Sequence, residues 1–247
     1  MAYGVWQVRT LTNEQLTVAF YAGDKRFYVR GIDYQPGGAS AMEDPLSDTT
    51  ACMRDIAKFK DLGVNTIRVY MTDNSVTHDE CMNALADANI YVILDVNNPL
   101  YSINQDDPAP SYNDKYLQSV FATIDEFIKY DNTMAFFSGN EVVNDKANTT
   151  DAARFVKATT RDMRQYIGNR GYRKVPVGYS AADVSQNRMQ LAHYMNCGTD
   201  DERSDFFAFV CPPQHKWNLN RRSLCADRDA ERLLMVQHRY QDFWLGH

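Results

Sequence analysis

Two neighbouring polar residues, Asn140 and Glu141, follow an apolar run within residues 133–143, and the carboxyl group of Glu141 is one that could do acid–base chemistry. The run Met134–Ala135–Phe136–Phe137 has the composition and length of a buried strand. A carboxylate at the mouth of a buried strand is costly unless it is used or paired, and barrel enzymes place catalytic groups at such strand ends. Alternatively, Glu141 caps the helix that follows. This segment alone favours neither interpretation, so the elements around it must decide.

Polar residues also follow other predicted strands of the chain. Gln35, Tyr70, Asp95 and Asp183 stand near the ends of strands predicted over residues 27–33, 64–70, 90–96 and 175–180. A sixth strand is predicted over residues 205–209. Helical spacing predicts helices between the strands, over residues 48–62, 79–88, 112–130, 150–168 and 183–195.

Strands that alternate with helices indicate a parallel sheet, and apolar strands indicate that both its faces are covered. No glycine-rich phosphate-binding loop follows the first strand, which disfavours a nucleotide-binding sheet. Polar residues after successive strands instead favour an α/β fold of the (β/α)8 TIM-barrel type. By this count the barrel is incomplete, with about six strands present.

Composition narrows the range of partners. The 247-residue chain has a net charge of -6, which argues against a nucleic-acid partner. Its 15 tyrosines suit sugar binding, because a ring face stacks on C–H groups, although tyrosine also fills half-buried positions. The first residues show no basic segment leading into an apolar one, so no signal peptide is predicted, and no run has the length of a membrane span.

The sequence changes character after residue 209, where an acidic balance turns basic and the strand pattern stops. The predicted division is therefore a barrel over residues 1–209 and a separate tail over residues 210–247. Residues 226–237 are compatible with a charged helix, though one that fits poorly as the next barrel unit. Cys211, His215, Cys225 and His238 match no standard zinc spacing, and no metal site is predicted.

Seven motifs, in order and with few interruptions, carry a family resemblance: GIDYQPGG, NTIRVY, HDECMNALADANIYVILDV, FATIDEF, YDNTMAFFSGNEV, PVGYSAADV and RSDFFAF. Over about residues 27–209 the chain resembles the fungal cell-wall β-1,3-glucanosyltransferases, the glycolipid-anchored surface proteins. The resemblance implies a (β/α)8 barrel that cuts an internal bond of one β-1,3-glucan chain and joins the new end to another. It implies a retaining mechanism through a covalent glycosyl-enzyme, with two carboxylates and no cofactor.

The resemblance assigns the two residues of the opening segment. The glutamate of the family's SGNEV motif is the acid/base, which here is Glu141. The asparagine before it binds the donor sugar, which here is Asn140. A hydrogen bond to a sugar 2-hydroxyl strengthens as the oxocarbenium-like transition state forms, which gives Asn140 a physical role.

The same matching implies five further sugar-contacting residues: Tyr70, Asp183, Arg188, Gln35 and Asp95. Gln35 and Asp95 are expected in the pocket, and Asp183 and Arg188 contact the donor or the acceptor. Taken singly, both residues are better explained structurally, Asp183 as a helix N-cap and Arg188 as a helix-surface residue paired with an acid. Within this run of motifs, the sugar-contacting role is favoured for both.

The resemblance also concerns the cysteines. Cys52 and Cys81 match a disulfide of the family, with two buried thiols as the alternative. Cys197 matches a family cysteine whose partner lies beyond the matched region and has no counterpart here. Asn148 heads an Asn-Thr-Thr triplet, a glycosylation signal if the chain is secreted.

The chain departs from the family after residue 209. Neither the family's aromatic sugar-binding motif nor its Glu-Tyr-Gly motif, which supplies the nucleophile, is present. The later glutamates Glu202 and Glu231 do not end apolar strands, so no nucleophile is assigned. The family is extracellular and anchored at the plasma membrane or cell wall, but no anchor signal is recognised here.

Three hypotheses follow from the sequence. The first is a β-1,3-glucan transglycosylase whose partners are the donor and acceptor glucan chains. The second is a catalytically incomplete fragment that binds glucan, because the nucleophile motif is missing. The third is a product that does not fold.

Overall fold

The computed structural model describes residues 6–10, 18–38, 42–146, 148–182, 184–211 and 233–238. Three strands near the amino terminus form an antiparallel sheet: β1 (Trp6–Thr10), β2 (Val18–Ala22) and β3 (Lys25–Phe27). Seven strands form a second sheet: β4 (Gly31–Asp33), β5 (Thr66–Val69), β6 (Tyr91–Asp95), β7 (Thr133–Asn140), β8 (Val177–Ala182), β9 (Phe206–Cys211) and β10 (Leu233–His238). Neighbours in this second sheet pair in parallel, in chain order from β4 to β10.

In the described part of the chain, six α-helices lie between these strands: α1 (Thr49–Asp61), α2 (Asp79–Asp87), α3 (Pro108–Ser111), α4 (Asp114–Phe127), α5 (Ala153–Asn169) and α6 (Arg188–Asn196). A 3₁₀ turn over Thr149–Ala152 leads into α5. Among the described helices, none combines the length and apolar character needed to cross a membrane.

Successive side chains of each strand point to opposite faces of the sheet, and the helices cover one of these faces. Ile67, Val92 and Leu94 belong to the large core cluster that the helices cover. Their neighbours along the strands, Arg68 and Ile93, point to the opposite face. The sheet curves far enough that Cα atoms of β10 come within 8 Å of β4. The prediction of an α/β barrel-type fold is therefore confirmed, and its six predicted strands correspond to β4–β9.

Helix α1 shows how the sequence sets these elements. The side chain of Asp48 accepts a hydrogen bond from the Ala51 N–H at 3.0 Å and caps the first turn. Cys52 and Phe59 face the core. Gly63, at φ +69°, ends the helix in a conformation that glycine adopts without strain. The chain then turns directly into β5.

The predicted first strand, residues 27–33, is in fact divided. Residues 28–30 leave β3 and lie along the turn before β5, where Asn65 holds them. Its side-chain amide donates to the Tyr28 carbonyl at 2.9 Å, and its Oδ1 accepts from the Arg30 N–H at 2.8 Å. Because these backbone groups are bonded to Asn65, the strand starts again only at Gly31.

The tail contains a strand where the sequence was compatible with a helix. Residues 233–238 form β10, which pairs in parallel with β9. The charged-helix interpretation of residues 226–237 is therefore wrong over this stretch. The sequence LLMVQH is an apolar run that gains backbone hydrogen bonds from the exposed edge of β9, and this tertiary pairing outweighs local helix preference. Of the discounted zinc ligands, His215 and Cys225 lie outside the described residues.

The small antiparallel sheet covers the amino end of the parallel sheet. Its aromatic residues pack on residues that begin two parallel strands. Trp6 meets Tyr91, the first residue of β6, with ring centroids 4.7 Å apart, and Phe20 meets Phe206, the first residue of β9, at 5.3 Å. The opposite, carboxyl end of the strands carries the polar residues described next.

The predicted disulfide between Cys52 and Cys81 is confirmed. It joins α1 to α2, with Cα atoms 5.9 Å apart. Both residues are buried in the layer between helices and sheet. Cys197 is exposed and forms no disulfide within the described part of the chain.

Candidate active site

The carboxyl ends of three neighbouring strands bring four predicted residues to one edge of the sheet. Asp95 is the last residue of β6, and Asn140 is the last residue of β7. Tyr70 directly follows β5, and Glu141 directly follows β7. Because β5, β6 and β7 are adjacent and parallel, these side chains meet at the end where barrel enzymes carry their active sites.

Arg68 connects three of these residues. It forms two hydrogen bonds to Asp95, from Nε to Oδ1 at 2.9 Å and from Nη2 to Oδ2 at 2.8 Å. Nη2 also donates to Oδ1 of Asn140 at 2.9 Å, and Nη1 donates to the Tyr70 hydroxyl at 3.4 Å. The guanidinium carbon lies 4.2 Å from the centroid of the Tyr70 ring and 4.4 Å from that of Phe137, within cation–π range. One planar group thus fixes the arrangement of the site.

The Arg68–Asp95 pair is buried, with each side chain only 2% exposed. Burial raises the pKa of Asp95 to about 6; the charges of Asp33 and Glu141 act in the same direction, and Arg68 opposes them. Burial alone lowers the pKa of Arg68, but the negative charge of Asp95 outweighs it and holds that pKa above its ordinary value. Removing either partner of such a buried ion pair strongly destabilises the folded protein, because the other partner is left as an unpaired buried charge.

The side-chain amide of Asn140 is held in one orientation. Its Oδ1 accepts hydrogen bonds from Arg68 Nη2 at 2.9 Å and from the Ser180 hydroxyl at 3.1 Å. Both donors lie on the oxygen side of the amide, so its NH₂ group points away from them. Two N–H donors are therefore presented from a half-buried side chain whose oxygen is already occupied.

Glu141 has an unusual backbone. Its φ is +49°, in the left-handed region, and its N–H donates to the Ser180 carbonyl at 2.8 Å. The side chain is half-buried. It follows the strand without beginning a helix, since the next helical turn starts only at Thr149. The helix-cap interpretation of Glu141 is therefore wrong.

Tyr70 is half-buried at the edge of this cluster. Burial raises the pKa of its hydroxyl; the charge of Arg68 opposes this, and that of Asp33 adds to it, with a hydrogen bond between Tyr70 and Asp33. The hydroxyl therefore stays protonated at neutral pH. A neutral phenol whose ring is fixed by Arg68 is suited to contact a sugar by stacking or hydrogen bonding.

The other predicted residues are placed less centrally. Gln35 follows β4 and donates from Nε2 to the Glu43 carbonyl at 3.3 Å. Arg188 is the first residue of α6, with its guanidinium carbon 5.6 Å from the centroid of the Phe209 ring. Asp183 lies outside the described residues.

Asn144, three residues beyond Glu141, joins the loops that follow three strands. Its Nδ2 donates to Oε1 of Gln105 in the loop after β6, at 2.5 Å. Its carbonyl accepts from Nδ2 of Asn187 in the loop after β8, at 3.2 Å. The loop that carries Glu141 is therefore tied on both sides, which limits the freedom of the carboxylate.

Sequence reasoning missed Arg68 and Ser180. A signal for Arg68 was present, because a charged residue inside the apolar strand NTIRVY must find a buried partner. Ser180 carried no such signal, since a serine in a strand is ordinary until its neighbour across the sheet is known.

Barrel enzymes carry their catalytic groups at the carboxyl ends of parallel strands, and those that act on glycosidic bonds use carboxylates there. The family model described as Glucanosyltransferase, glycoside hydrolase family 72, matches residues 8–219. The chain belongs to this family.

Curated relatives and solved structures agree with that membership. The chain is 67% identical over 191 residues to the 1,3-beta-glucanosyltransferase gel1 of Aspergillus fumigatus, covering 77% of this chain and 42% of that protein. It is 56% identical over 184 residues to GAS5 of Saccharomyces cerevisiae, covering 74% and 38%. Saccharomyces cerevisiae Gas2p, solved with laminaritriose and laminaritetraose, superposes with a TM-score of 0.75 at 36% identity, covering 85% of this chain and 46% of that one. The chain thus spans less than half the length of these relatives.

Proposed function

We propose that this chain carries the acid/base half of a retaining β-1,3-glucan transglycosylase site. The observation that carries the proposal is the Asn140–Glu141 pair at the carboxyl end of β7, with the amide held by Arg68 and Ser180. Membership of the glucanosyltransferase family, and the laminari-oligosaccharides in the Gas2p structure, support β-1,3-glucan as donor and acceptor.

Glu141 acts as the acid and then as the base. As an acid it protonates the glycosidic oxygen of the donor while the second carboxylate that a retaining site requires bonds to the anomeric carbon, so that the C–O bond breaks and the reducing-end fragment leaves. As a base it removes the proton from the incoming acceptor hydroxyl, whose oxygen attacks the anomeric carbon of the glycosyl-enzyme, displaces that carboxylate and retains the configuration. The same carboxyl serves both steps because the leaving group and the acceptor occupy the same side of the donor sugar.

Asn140 and Tyr70 hold the donor sugar. The NH₂ group of Asn140 donates to a hydroxyl next to the reacting carbon, and this hydrogen bond strengthens as positive charge develops. Tyr70 supplies a neutral hydroxyl and an aromatic face beside it. Gln35, Asp183 and Arg188 extend the contacts toward donor or acceptor. Asp95 acts through Arg68, since both its carboxylate oxygens already bind the guanidinium.

A retaining reaction also needs a second carboxylate about 5 Å from the first. Asp95 is a poor nucleophile, because Arg68 occupies both its oxygens in a buried ion pair. We assign the nucleophile to no described residue. The alternative function is a fragment that binds β-1,3-glucan without turning it over, because no described residue is assigned as the nucleophile.

One experiment separates these two functions. The chain is mixed with reduced laminari-oligosaccharides, and the products are separated by size while binding is measured by calorimetry. A transglycosylase makes both longer and shorter chains, and Glu141→Gln slows this by about 10²–10⁴-fold. A binding fragment leaves the chain lengths unchanged but still releases heat on binding. Absence of turnover would overturn the transglycosylase proposal, and absence of binding as well would overturn both functions.

We also propose an extracellular location, at the cell wall or held at the membrane by a glycolipid anchor, with residues 1–209 forming the catalytic barrel together with β10 of the tail. Asn148 then becomes a glycosylation site. It is exposed, lies seven residues beyond Glu141 and begins the Asn-Thr-Thr triplet. Expression in a secreting fungal host should give a chain whose mass falls on deglycosylation, and Asn148→Gln should abolish that change.

A further inference from the structure

The backbone of Glu141 departs from what its residue type tolerates. Among the described residues, three other than glycine have positive φ: Asn89 at 57°, Glu141 at 49° and Asn148 at 69°. Asparagine enters the left-handed region readily, whereas glutamate does so at a cost. A residue held in such a conformation needs surrounding contacts that over-determine it, and such residues cluster at functional sites. The structure must therefore contain groups that hold Glu141 in place.

Two consecutive residues of β8 supply those groups. The Ser180 carbonyl accepts from the Glu141 N–H at 2.8 Å. The hydroxyl oxygen of Tyr179 accepts from the Val143 N–H at 3.1 Å. Tyr179 and Val143 are both buried, so no solvent competes for this hydrogen bond. The turn that contains Glu141 is thus bonded to β8 on both sides of the glutamate.

Gly139 lets the Tyr179 ring reach this turn. A Cβ at position 139 would lie 3.3 Å from Cε2 of Tyr179 and 3.3 Å from Cγ2 of Val142, both tighter than usual contacts. The glycine therefore leaves room for the ring to lie against the backbone just before Glu141. Burial also raises the pKa of the Tyr179 hydroxyl, so it remains a neutral phenol through the physiological range.

We propose that the buried Tyr179 hydroxyl is a positioning group that holds Glu141 in its left-handed conformation and so aims the carboxyl at the glycosidic oxygen. The inference rests on the proposed function of Glu141. Tyr179 itself is fully buried and acts through the backbone of the turn, where its hydroxyl accepts from the Val143 N–H. Removing the hydroxyl leaves that N–H without its acceptor, and the turn relaxes toward an ordinary φ with the carboxyl displaced.

The test compares Tyr179→Phe with Tyr116→Phe. Tyr116 is an equally buried tyrosine, whose hydroxyl meets Oγ1 of Thr159 at 3.2 Å between α4 and α5. Each variant loses one buried hydroxyl and keeps its ring, so the two should have similar melting temperatures. Amide hydrogen exchange of Val143, the ¹³Cα and ¹³Cβ shifts of Glu141, and transfer kinetics on reduced laminari-oligosaccharides are measured for both variants.

We expect Tyr179→Phe to speed exchange of the Val143 amide about tenfold and to move the Glu141 shifts toward values for negative φ. Its kcat should fall about tenfold or more while KM stays within about twofold, because the acid/base is misaimed but the sugar contacts remain. Tyr116→Phe should leave all of these unchanged. Gly139→Ala, which displaces the same ring, should reproduce the effect of Tyr179→Phe.

Unchanged Glu141 shifts and unchanged kcat in Tyr179→Phe would overturn the inference. Equal loss of kcat in Tyr116→Phe would also overturn it, because the effect would then be general destabilisation. If the unmodified chain shows no turnover at all, the proposed function fails separately. The exchange rate and the chemical shifts then decide whether Tyr179 holds the Glu141 turn.

Discussion

The two ends of the barrel are held by different kinds of interaction. At the amino end, aromatic rings pack edge to face: Trp6 against Tyr91 and Phe27, and Phe20 against Phe206. At the carboxyl end, the Arg68 guanidinium bonds to a carboxylate and an amide in a buried setting. The aromatic contacts at the amino end involve no charged side chain, whereas the contacts at the carboxyl end centre on a buried ion pair.

This difference separates stability from function. Aromatic packing contributes through the area removed from water and tolerates changes of similar shape. A network of directed hydrogen bonds fixes the angles of its members, and each missing partner leaves a buried polar group unsatisfied. A protein retains such a costly network where side-chain positions must be accurate. The carboxyl end of the strands (the polar end) is therefore suited to perform a reaction. The amino end (the aromatic end) is covered by the small antiparallel sheet and contributes to stability.

The largest effect should come from breaking the polar end. Arg68→Ala leaves Asp95 as an unpaired buried carboxylate, and we expect the free energy of unfolding to fall by about 3–5 kcal/mol. It also releases the Asn140 amide, so affinity for laminaritetraose should fall. Urea unfolding and calorimetry measure the two effects.

A double variant sharpens this result. Arg68→Met with Asp95→Leu removes both charges and fills a similar volume, so most of the lost stability should return. Affinity for the sugar should not return, because nothing then orients Asn140. Recovery of both quantities would show that the network serves stability alone.

At the aromatic end, Phe20→Ala should destabilise without altering the site. Phe20 is fully buried, and its loss leaves a cavity beside Phe206 that costs about 3 kcal/mol. Affinity for laminaritetraose, measured well below the melting temperature, should match that of the unmodified chain. A loss of affinity in Phe20→Ala would mean that the two ends are coupled through the barrel and that the amino end does not serve stability alone.

The fold and the polar carboxyl end of the strands were largely predictable from the sequence. Apolar strands alternating with amphipathic helices predicted the parallel sheet, and polar residues after strands placed Tyr70, Asp95, Asn140 and Glu141 at one edge. These inferences succeed because strand period and strand polarity are local properties of the chain.

The remainder depended on contacts between distant segments. β1 and β2 carry little signal of their own, and their role becomes clear only once Tyr91 and Phe206 are known to begin β6 and β9 of the parallel sheet. The hydrogen bonds of Ser180 and Tyr179 to the Glu141 turn depend on the register between β7 and β8, which no local pattern fixes. The local sequence of residues 233–238 does not distinguish a helix from a strand, and they form β10 because they pair with the edge of β9.

A smaller effect on stability concerns His78, which directly precedes α2. Its Nε2 meets Oδ2 of Asp44 at 2.7 Å, and its Nδ1 meets Oε1 of Glu126 at 2.9 Å. Burial lowers the pKa of His78, but hydrogen bonds and charge from Asp44 and Glu126 outweigh it, so the pKa is raised. The stabilising contribution is then fully present below about pH 6.5, the unfolded value, and is lost as pH rises through the folded pKa.

We therefore expect the unfolding free energy to fall as pH increases above about 6.5, with a slope of up to about 1.4 kcal/mol per pH unit from this group. His78→Gln should remove that part of the slope, as measured by urea unfolding between about pH 6 and 9. His193→Gln, at an exposed position in α6, is the control and should keep it. Other groups near His78, namely Asp79, Lys129 and Tyr130, are common to all three proteins and cancel in the comparison. Equal slopes in all three would contradict a charged His78.

The smallest expected effect tests whether the site stores backbone strain. At φ +49°, alanine at position 141 keeps the Cβ that disfavours the left-handed region, whereas glycine lacks it. Glu141→Gly should therefore be more stable than Glu141→Ala by about 1 kcal/mol, even though glycine costs more unfolded-chain entropy. The same pair of substitutions at Asp145, an exposed loop residue without positive φ, should give the opposite order. Both comparisons are made by thermal unfolding. If glycine is the less stable residue at both positions, Glu141 is not strained, and the accuracy of the polar end must come from its hydrogen bonds alone.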